Sequence, residues 1–217
     1  MLIRSAWAAA SLAAVTGAAH AAVAPFTETF SSGNSGWTGP ATWNSTGGPD
    51  GTGAVFADTN VNNAAFGVLI ALRAQASSGA SGGAFVGDWT APGLSLRFSV
   101  RHNAPEPISF GARFALAQNF PGAIGLDFAT VAPNTWGTVT IPITPNYPGW
   151  LSFEGSDFNT IMSSVANLQL LYAVPQTLSG TGTVVRVEAD NVSIVPAPAV
   201  IALAPALALP ALRRRRA

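Results

Sequence analysis

Cysteine and lysine are both absent from this 217-residue chain, and histidine occurs only twice. Without cysteine there is neither a disulfide framework nor thiol chemistry, so the fold has to rest on an apolar core or a bound metal ion. Nucleic-acid binding depends on basic patches, and only 9% of the residues are charged. We therefore predict no nucleic-acid partner.

The zero formal net charge hides an uneven distribution. Five of the ten basic residues are arginines at the two ends of the chain, whereas all ten acidic residues lie between the ends. The central part is therefore about five charges negative. Carboxylate oxygens suit a hard cation such as calcium, so a metal ion is a more plausible partner than a polyanion such as nucleic acid.

The first 21 residues have the organisation of a secretory signal peptide. A cationic start at Arg4 is followed by an apolar run from Ser5 to Ala19 and then by the small-x-small sequence Ala19-His20-Ala21. We predict cleavage after Ala21 or Ala22, which makes the mature protein an exported one. The alternative is an ordinary buried helix.

The last 22 residues (196–217) predict a membrane anchor. An apolar run over 197–212 precedes four arginines, which would remain on the cytoplasmic side of the inner membrane. The run is short for a spanning helix, which needs roughly 17–25 residues, and two prolines weaken it. The alternative is a disordered basic tail.

The order of features at this end resembles the PEP-CTERM sorting signal of Gram-negative bacteria. The residues that carry the resemblance are Pro196, Pro198, Arg213, Arg214, Arg215 and Arg216. Ala197 stands where that family usually has glutamate. The resemblance implies recognition by an exosortase, cleavage near the prolines, and release from the membrane to the cell surface or extracellular matrix.

Residues 22–195 remain for one domain of ordinary size. Short alternating apolar runs separated by Gly, Ser, Thr, Asn and Pro are typical of an all-β protein. Leu94, Leu96, Phe98 and Val100 alternate with polar residues, as in a strand with one buried face. We predict an antiparallel β-sandwich, a jelly roll of about nine strands. The predicted strands cover 26–30, 54–57, 66–70, 83–86, 94–100, 108–114, 138–141, 168–173 and 184–194.

One segment has helical periodicity instead. Phe158, Ile161, Met162 and Val165 recur on one helical face, and Ser156 or Asp157 is a suitable N-cap. We predict one short helix that lies across the end of the sandwich.

Several short stretches resemble the carbohydrate-binding and laminin-type β-sandwich domains found outside cells. They are Phe26-x-Glu28-x-Phe30, Gly36-Trp37, the Gly-rich loop 47–51, Gly87-Asp88-Trp89 and Ala189-Asp190-Asn191-Val192. The resemblance implies a structural calcium ion bound by an early glutamate and a late aspartate, which correspond here to Glu28 and Asp190.

The residues themselves are compatible with such a calcium site. Glu28 and Asp190 lie in the apolar first and last predicted strands, which often pair in an antiparallel sandwich. Two buried carboxylates need compensation, which calcium could supply with help from Asp50 and backbone carbonyls of the loop 47–53. The alternative is two acids that are exposed or bonded to turn amides.

Aromatic residues in polar or Pro-rich loops are candidates for stacking on sugar rings. We select Trp43, Tyr147 and Trp150 as ligand-binding residues. For Trp37, Trp89 and Trp136 we expect a structural place, either in the core or capping the ends of the sandwich.

No catalytic pattern stands out. His102 is the only histidine left after removal of the signal peptide, and no nucleophile elbow is present. We therefore predict a non-enzymatic surface or matrix protein associated with exopolysaccharide or biofilm. The alternatives are a glycan-binding module of the cell surface and a polysaccharide hydrolase, which needs only two well-placed carboxylates.

Overall fold

The computed structural model of the chain describes residues 20–196 and contains two packed antiparallel sheets. Five strands form one sheet, in the order β4-β10-β6-β7-β9, and six form the other, in the order β2-β3-β11-β5-β8 with β1 on β11. The strands are β1 (Phe26–Glu28), β2 (Thr42–Asn44), β3 (Ala54–Asn60), β4 (Val68–Gln75), β5 (Ser95–His102), β6 (Ile108–Ala115), β7 (Gly122–Val131), β8 (Gly137–Pro142), β9 (Trp150–Ser152), β10 (Asn167–Ala173) and β11 (Val184–Val195).

The antiparallel β-sandwich predicted from the sequence is confirmed. Leu94, Leu96, Phe98 and Val100 are all buried in the core between the sheets, as their alternation indicates. Trp37 and Trp89 are buried there too, whereas Trp136 lies half-buried outside it, under the Arg101 guanidinium.

The predicted helix is confirmed as α1 (Phe158–Met162). Asp157 caps it, because its Oδ1 accepts a hydrogen bond from the Thr160 amide at 2.9 Å. Phe158, Ile161 and Met162 all face the core, which is the apolar face that the sequence spacing predicts.

One predicted strand is wrong and three short or irregular ones are missing from the prediction. Residues 83–86 instead form the end of a 3-10 helix at Ala80–Gly83 and the turn after it. Ser81, Gly82 and Gly83 all have positive φ, and three such residues in a row are incompatible with an extended strand. The strands β2 and β9 have three residues each and therefore show little periodicity. The strand β7 is interrupted by a register shift opposite β6.

The described residues contain no helix that is long and apolar enough to cross a membrane. The predicted signal peptide, apart from His20 and Ala21, and the predicted anchor, apart from Pro196, lie outside those residues. Pro198, Arg213, Arg214, Arg215 and Arg216 are likewise outside, so processing and anchoring stay predictions.

Candidate functional site

The first and last strands pair, as the calcium hypothesis requires. Glu28 lies opposite Val192 in the β1–β11 ladder, two residues from Asp190. The backbone departs from a regular strand after Asp190, where Asn191 has a φ of 51° and the register with β5 shifts. This irregularity places the Asp190 carboxylate within electrostatic reach of both Glu28 and Asp50.

Asp190 is a fully buried carboxyl group with few protein donors. The Asn191 amide donates to Oδ1 at 2.7 Å, and the Asn191 side chain donates to Oδ2 at a longer 3.3 Å. Burial, and secondarily the negative charges of Asp50 and Glu28, raise its pKa to about 6. The folded domain alone therefore disfavours the charged form of this side chain.

Three oxygen atoms converge on the space beside Gly48. A β-carbon at this position would lie 2.7 Å from Asp190 Oδ2, 2.8 Å from the Gly53 carbonyl oxygen and 3.1 Å from the Thr52 carbonyl oxygen. Only glycine fits there. A convergence of one carboxylate and two carbonyl oxygens matches the oxygen ligands that calcium prefers.

The other two predicted calcium ligands are already hydrogen-bonded. Glu28 accepts from the Phe30 amide at 2.9 Å and from the Ser81 hydroxyl at 2.7 Å. Asp50 is exposed and accepts hydrogen bonds from the Thr52 hydroxyl and the Thr52 amide, which lower its pKa. Among residues 20–196 no group of three or more His, Asp or Glu side chains could hold a metal ion. A calcium shell would need the backbone carbonyl oxygens.

The structure does not bring the three predicted sugar-binding aromatics together. Trp43 lies on β2, an edge strand of the six-stranded sheet. At this edge the six-stranded sheet approaches β4, through contacts of β3. Tyr147 and Trp150 lie at β9, the opposite edge of the other sheet. No single ligand face contains all three residues.

These aromatics are also engaged within the protein. The Trp43 indole N–H donates to the Phe30 carbonyl oxygen at 2.7 Å, and 38% of the residue is exposed. Trp150 packs against four rings, those of Phe114, Tyr147, Phe153 and Phe158. Packing on several sides leaves Trp150 little free ring face for a sugar, so Trp43 is the better placed of the two.

An open groove on the outer face of the five-stranded sheet is a site that the sequence did not reveal. One half has a volume of about 520 Å³ and is lined by Val68, Ile124 and three exposed apolar side chains, Phe66, Phe120 and Leu151. The other half, of about 440 Å³, continues from Phe66 along β4 to Arg73 and reaches round the β4 edge to Asp58, Thr59 and Asn60 of β3. The two halves share Phe66, Val68, Ile124 and Glu154.

Phe66 is unusual in both exposure and backbone conformation. The residue is 100% exposed. Phe66 and Gly67 have φ values of 53° and 77° between Ala65 and Val68, whose backbones exchange hydrogen bonds. Two-residue turns with both φ positive favour Asn-Gly or Asp-Gly. A bulky apolar residue at the first position is costly for both backbone and solvation, as is typical of residues retained for a ligand.

A buried polar network forms the middle of the groove. The Arg113 guanidinium donates to both carboxylate oxygens of Glu154, at 2.6 and 2.7 Å, and also to Gln169 and Asn119. Glu154 accepts a further bond from the Gly122 amide at 2.7 Å. Residues from β6, β10 and two loops thus hold one another rigidly at the floor.

Neither a protein-family model nor a curated protein matches this chain. Among solved structures, the family 11 carbohydrate-binding module of a cellulosomal cellulase of Clostridium thermocellum is 15% identical, with 82% of this chain and 97% of that chain covered and a TM-score of 0.47. A xylan-binding domain from Paenibacillus barcinonensis is 13% identical, with 82% and 97% covered and a TM-score of 0.43.

An exo-β-agarase is 14% identical over 84% of this chain and 25% of that chain, with a TM-score of 0.50. The present chain thus corresponds to about a quarter of that enzyme. At this identity the similarity to the exo-β-agarase is one of fold alone. The antiparallel β-sandwich follows from the strand pairing of this chain itself.

Proposed function

We propose that the domain is a non-enzymatic glycan-binding module that holds a polysaccharide chain in the groove on the five-stranded sheet. The observation that carries the proposal is the fully exposed, conformationally costly Phe66, which lines the same open groove as Phe120. The resemblance of the sequence to extracellular carbohydrate-binding sandwiches supports it.

The groove offers the two kinds of surface that a sugar chain needs. Pyranose rings have apolar C–H faces that pack against aromatic side chains, and hydroxyl edges that need polar partners. Phe66, Phe120 and Leu151 provide the apolar contacts, and Glu154 and Ser152 line the same space. An open groove, unlike a closed pocket, suits a chain that extends beyond the contacted sugars.

Trp43, Tyr147 and Trp150 stay predicted ligand-binding residues with a smaller part in the proposal. Trp43 lies on another sheet edge, and Tyr147 donates its hydroxyl to the Leu126 carbonyl oxygen at 2.7 Å. A second contact surface at Trp43 would extend the site, but the groove does not depend on it.

A hydrolase is the weaker proposal for the same groove. Its two acidic residues, Asp58 and Glu154, are both paired with arginines. The Arg186 hydrogen bond lowers the pKa of Asp58, so this group is ionised at neutral pH and cannot act as the proton donor of a glycosidase. Release of reducing ends from a bound polysaccharide would support the hydrolase proposal instead.

A structural calcium ion is proposed for the site at Asp190. The ion would be held by the Asp190 and Glu28 carboxylates and the Gly53 and Thr52 carbonyl oxygens, with Asp50 nearby. Its positive charge would compensate the buried Asp190 carboxylate, so its role would be to tie β11 to the loop 47–53. It has no part in sugar contacts, because none of these ligands lines the groove.

The proposed localisation of this binding follows from the sequences at the two ends of the chain. A signal peptide and an exosortase-processed tail would deliver the domain through the inner membrane to the cell surface or matrix. There, exopolysaccharide is the natural polysaccharide partner, and a role in biofilm would follow.

The substitution Phe66→Asn tests the groove, with Phe128→Asn as the matched control. Asparagine suits the positive φ of position 66, so the variant should fold at least as well as the wild type while it lacks the aromatic face. Phe128 is an exposed phenylalanine of β7 outside both halves of the groove. In affinity gel electrophoresis against a panel of polysaccharides, Phe66→Asn should lose most retardation and Phe128→Asn should keep it. Equal retardation of the two variants would refute the groove.

A further inference from the structure

The acidic and basic residues that line the groove are equal in number, but their ion pairs leave one positive charge uncompensated. Its acidic residues are Asp58 and Glu154, and its basic residues are Arg73 and Arg113. Glu154 is paired with Arg113, and Asp58 is paired with Arg186. Both carboxylates are thus neutralised, and Arg73 remains as a surplus positive charge.

The Arg73 side chain has no partner among residues 20–196. No carboxylate of this range lies within salt-bridge distance of its guanidinium, and its hydrogen bonds to Thr38 involve only its backbone. Three of the five arginines in this range are in ion pairs, and the other unpaired one is Arg97 on the other sheet.

The register places Arg73 in line with the polar network. Arg73 lies opposite Gln169, which in turn lies opposite Arg113, and Arg113 lies opposite Ile124. This row runs across four strands, from the unpaired guanidinium through the buried network to the apolar half of the groove. A chain lying along the row would meet the Arg73 charge at one end and Ile124 and Phe120 at the other. Phe66 lies beside the row, just before the start of β4.

We propose that the groove selects an acidic polysaccharide and that Arg73 pairs with its carboxylate or sulfate group. The inference rests on the proposed glycan-binding function and names the class of glycan. A guanidinium presents a planar set of donors that matches carboxylate and sulfate oxygens. The five acidic residues in excess elsewhere in the domain would repel a polyanion, so attraction should be confined to this groove.

The test compares charged and neutral polymers of the same backbone on the full chain and its variants. The pairs are carboxymethylcellulose with hydroxyethylcellulose, and dextran sulfate with dextran, in affinity gel electrophoresis. Arg73→Gln is compared with Arg97→Gln, which removes an equal charge from the other sheet. A thermal melt of each variant verifies folding, and Arg73→Lys retains the charge if Arg73→Gln is unstable.

The wild type should be retarded more strongly by a charged polymer than by its neutral counterpart. Arg73→Gln should weaken binding of the charged polymer on the order of fivefold, as for a single exposed ion pair, and leave neutral polymers unaffected. Arg97→Gln should match the wild type, and Arg73→Lys should fall between. Added salt should weaken only the extra binding of the charged polymer over its neutral counterpart.

Two negative results have different meanings. Equal retardation by charged and neutral polymers, or equal effects of Arg73→Gln and Arg97→Gln, would overturn the acidic selectivity. If Phe66→Asn still abolished binding in that case, the groove would remain supported as the glycan-binding site. Absence of retardation by every polymer, or binding that Phe66→Asn does not change, would overturn the proposed function itself and the selectivity with it.

Discussion

Calcium should raise the thermal stability of this domain by an amount that follows from Asp190. The folded state raises the pKa of this buried carboxyl from 3.8 to about 6. One pKa unit corresponds to about 1.4 kcal/mol, so holding Asp190 ionised at neutral pH costs the metal-free fold about 3 kcal/mol. A bound cation removes this cost.

The expected change in melting temperature is large enough to measure. For a domain of this size, 1 kcal/mol shifts the midpoint by about 2–4 °C. Calcium at roughly 100 times its Kd stabilises the folded state by about 3 kcal/mol, enough to offset the cost at Asp190, and should raise the midpoint by about 6–12 °C. The assay is differential scanning calorimetry at neutral pH, in EDTA and then with excess calcium chloride. Magnesium chloride serves as the control ion, because its strict octahedral geometry suits a shell of carbonyl oxygens poorly.

The pH dependence gives the sign of the effect. A carboxyl whose folded pKa is raised stabilises the fold below its unfolded pKa, and this stabilisation is lost as pH rises from 3.8 to about 6. In EDTA the Asp190 contribution should therefore decline across this window, and with calcium the decline should disappear.

The variant Asp190→Asn separates the charge from the packing. The amide oxygen can still accept from the Asn191 amide, so the metal-free variant should melt no lower than the metal-free wild type and should not respond to calcium. The control is Asp88→Asn, at an aspartate away from the proposed site that accepts hydrogen bonds from the Thr90 amide and hydroxyl. This variant should keep the full calcium response. An unchanged wild-type midpoint in calcium, or a calcium response in Asp190→Asn, would refute the reasoning.

Two further predictions concern stability elsewhere in the fold. Glu154→Ala should lower the free energy of unfolding by about 3–5 kcal/mol in urea titrations, because it leaves the buried Arg113 guanidinium unpaired. Glu188→Ala, whose partner Arg101 is more exposed, should cost about 1 kcal/mol or less, and equal losses would contradict the network. Burial lowers the pKa of His102, whose Nδ1 accepts from the Ala104 amide, so this group should stabilise the fold above its ordinary pKa of 6.5 and destabilise it as pH falls below that value. His102→Gln should flatten this part of the pH profile of the melting temperature, and an unchanged profile would contradict the assignment.

Sequence patterns that repeat over neighbouring residues were sufficient to predict the local elements of this fold. The alternation from Leu94 to Val100 and the spacing of Phe158, Ile161 and Met162 predict the strand and helix that the structure contains. The period of each pattern equals the period of the backbone itself. The pairing of the first strand with the last also followed from the sequence, because these strands of antiparallel sandwiches often pair.

The groove could not be predicted in this way. Phe66, Phe120 and Leu151 lie far apart in the sequence in short loops and edges. Arg113 meets Gln169 because of the register between β6 and β10, and it meets Glu154, in the loop after β9, because β9 pairs with β7. Likewise, the position of Trp150 in a Pro-rich loop of the sequence suggests a sugar-binding residue, but in the fold Trp150 packs against four rings. Composition and periodicity determined that the chain forms a sandwich, whereas lateral strand order and register decided which side chains share a surface, since they depend on contacts between distant residues.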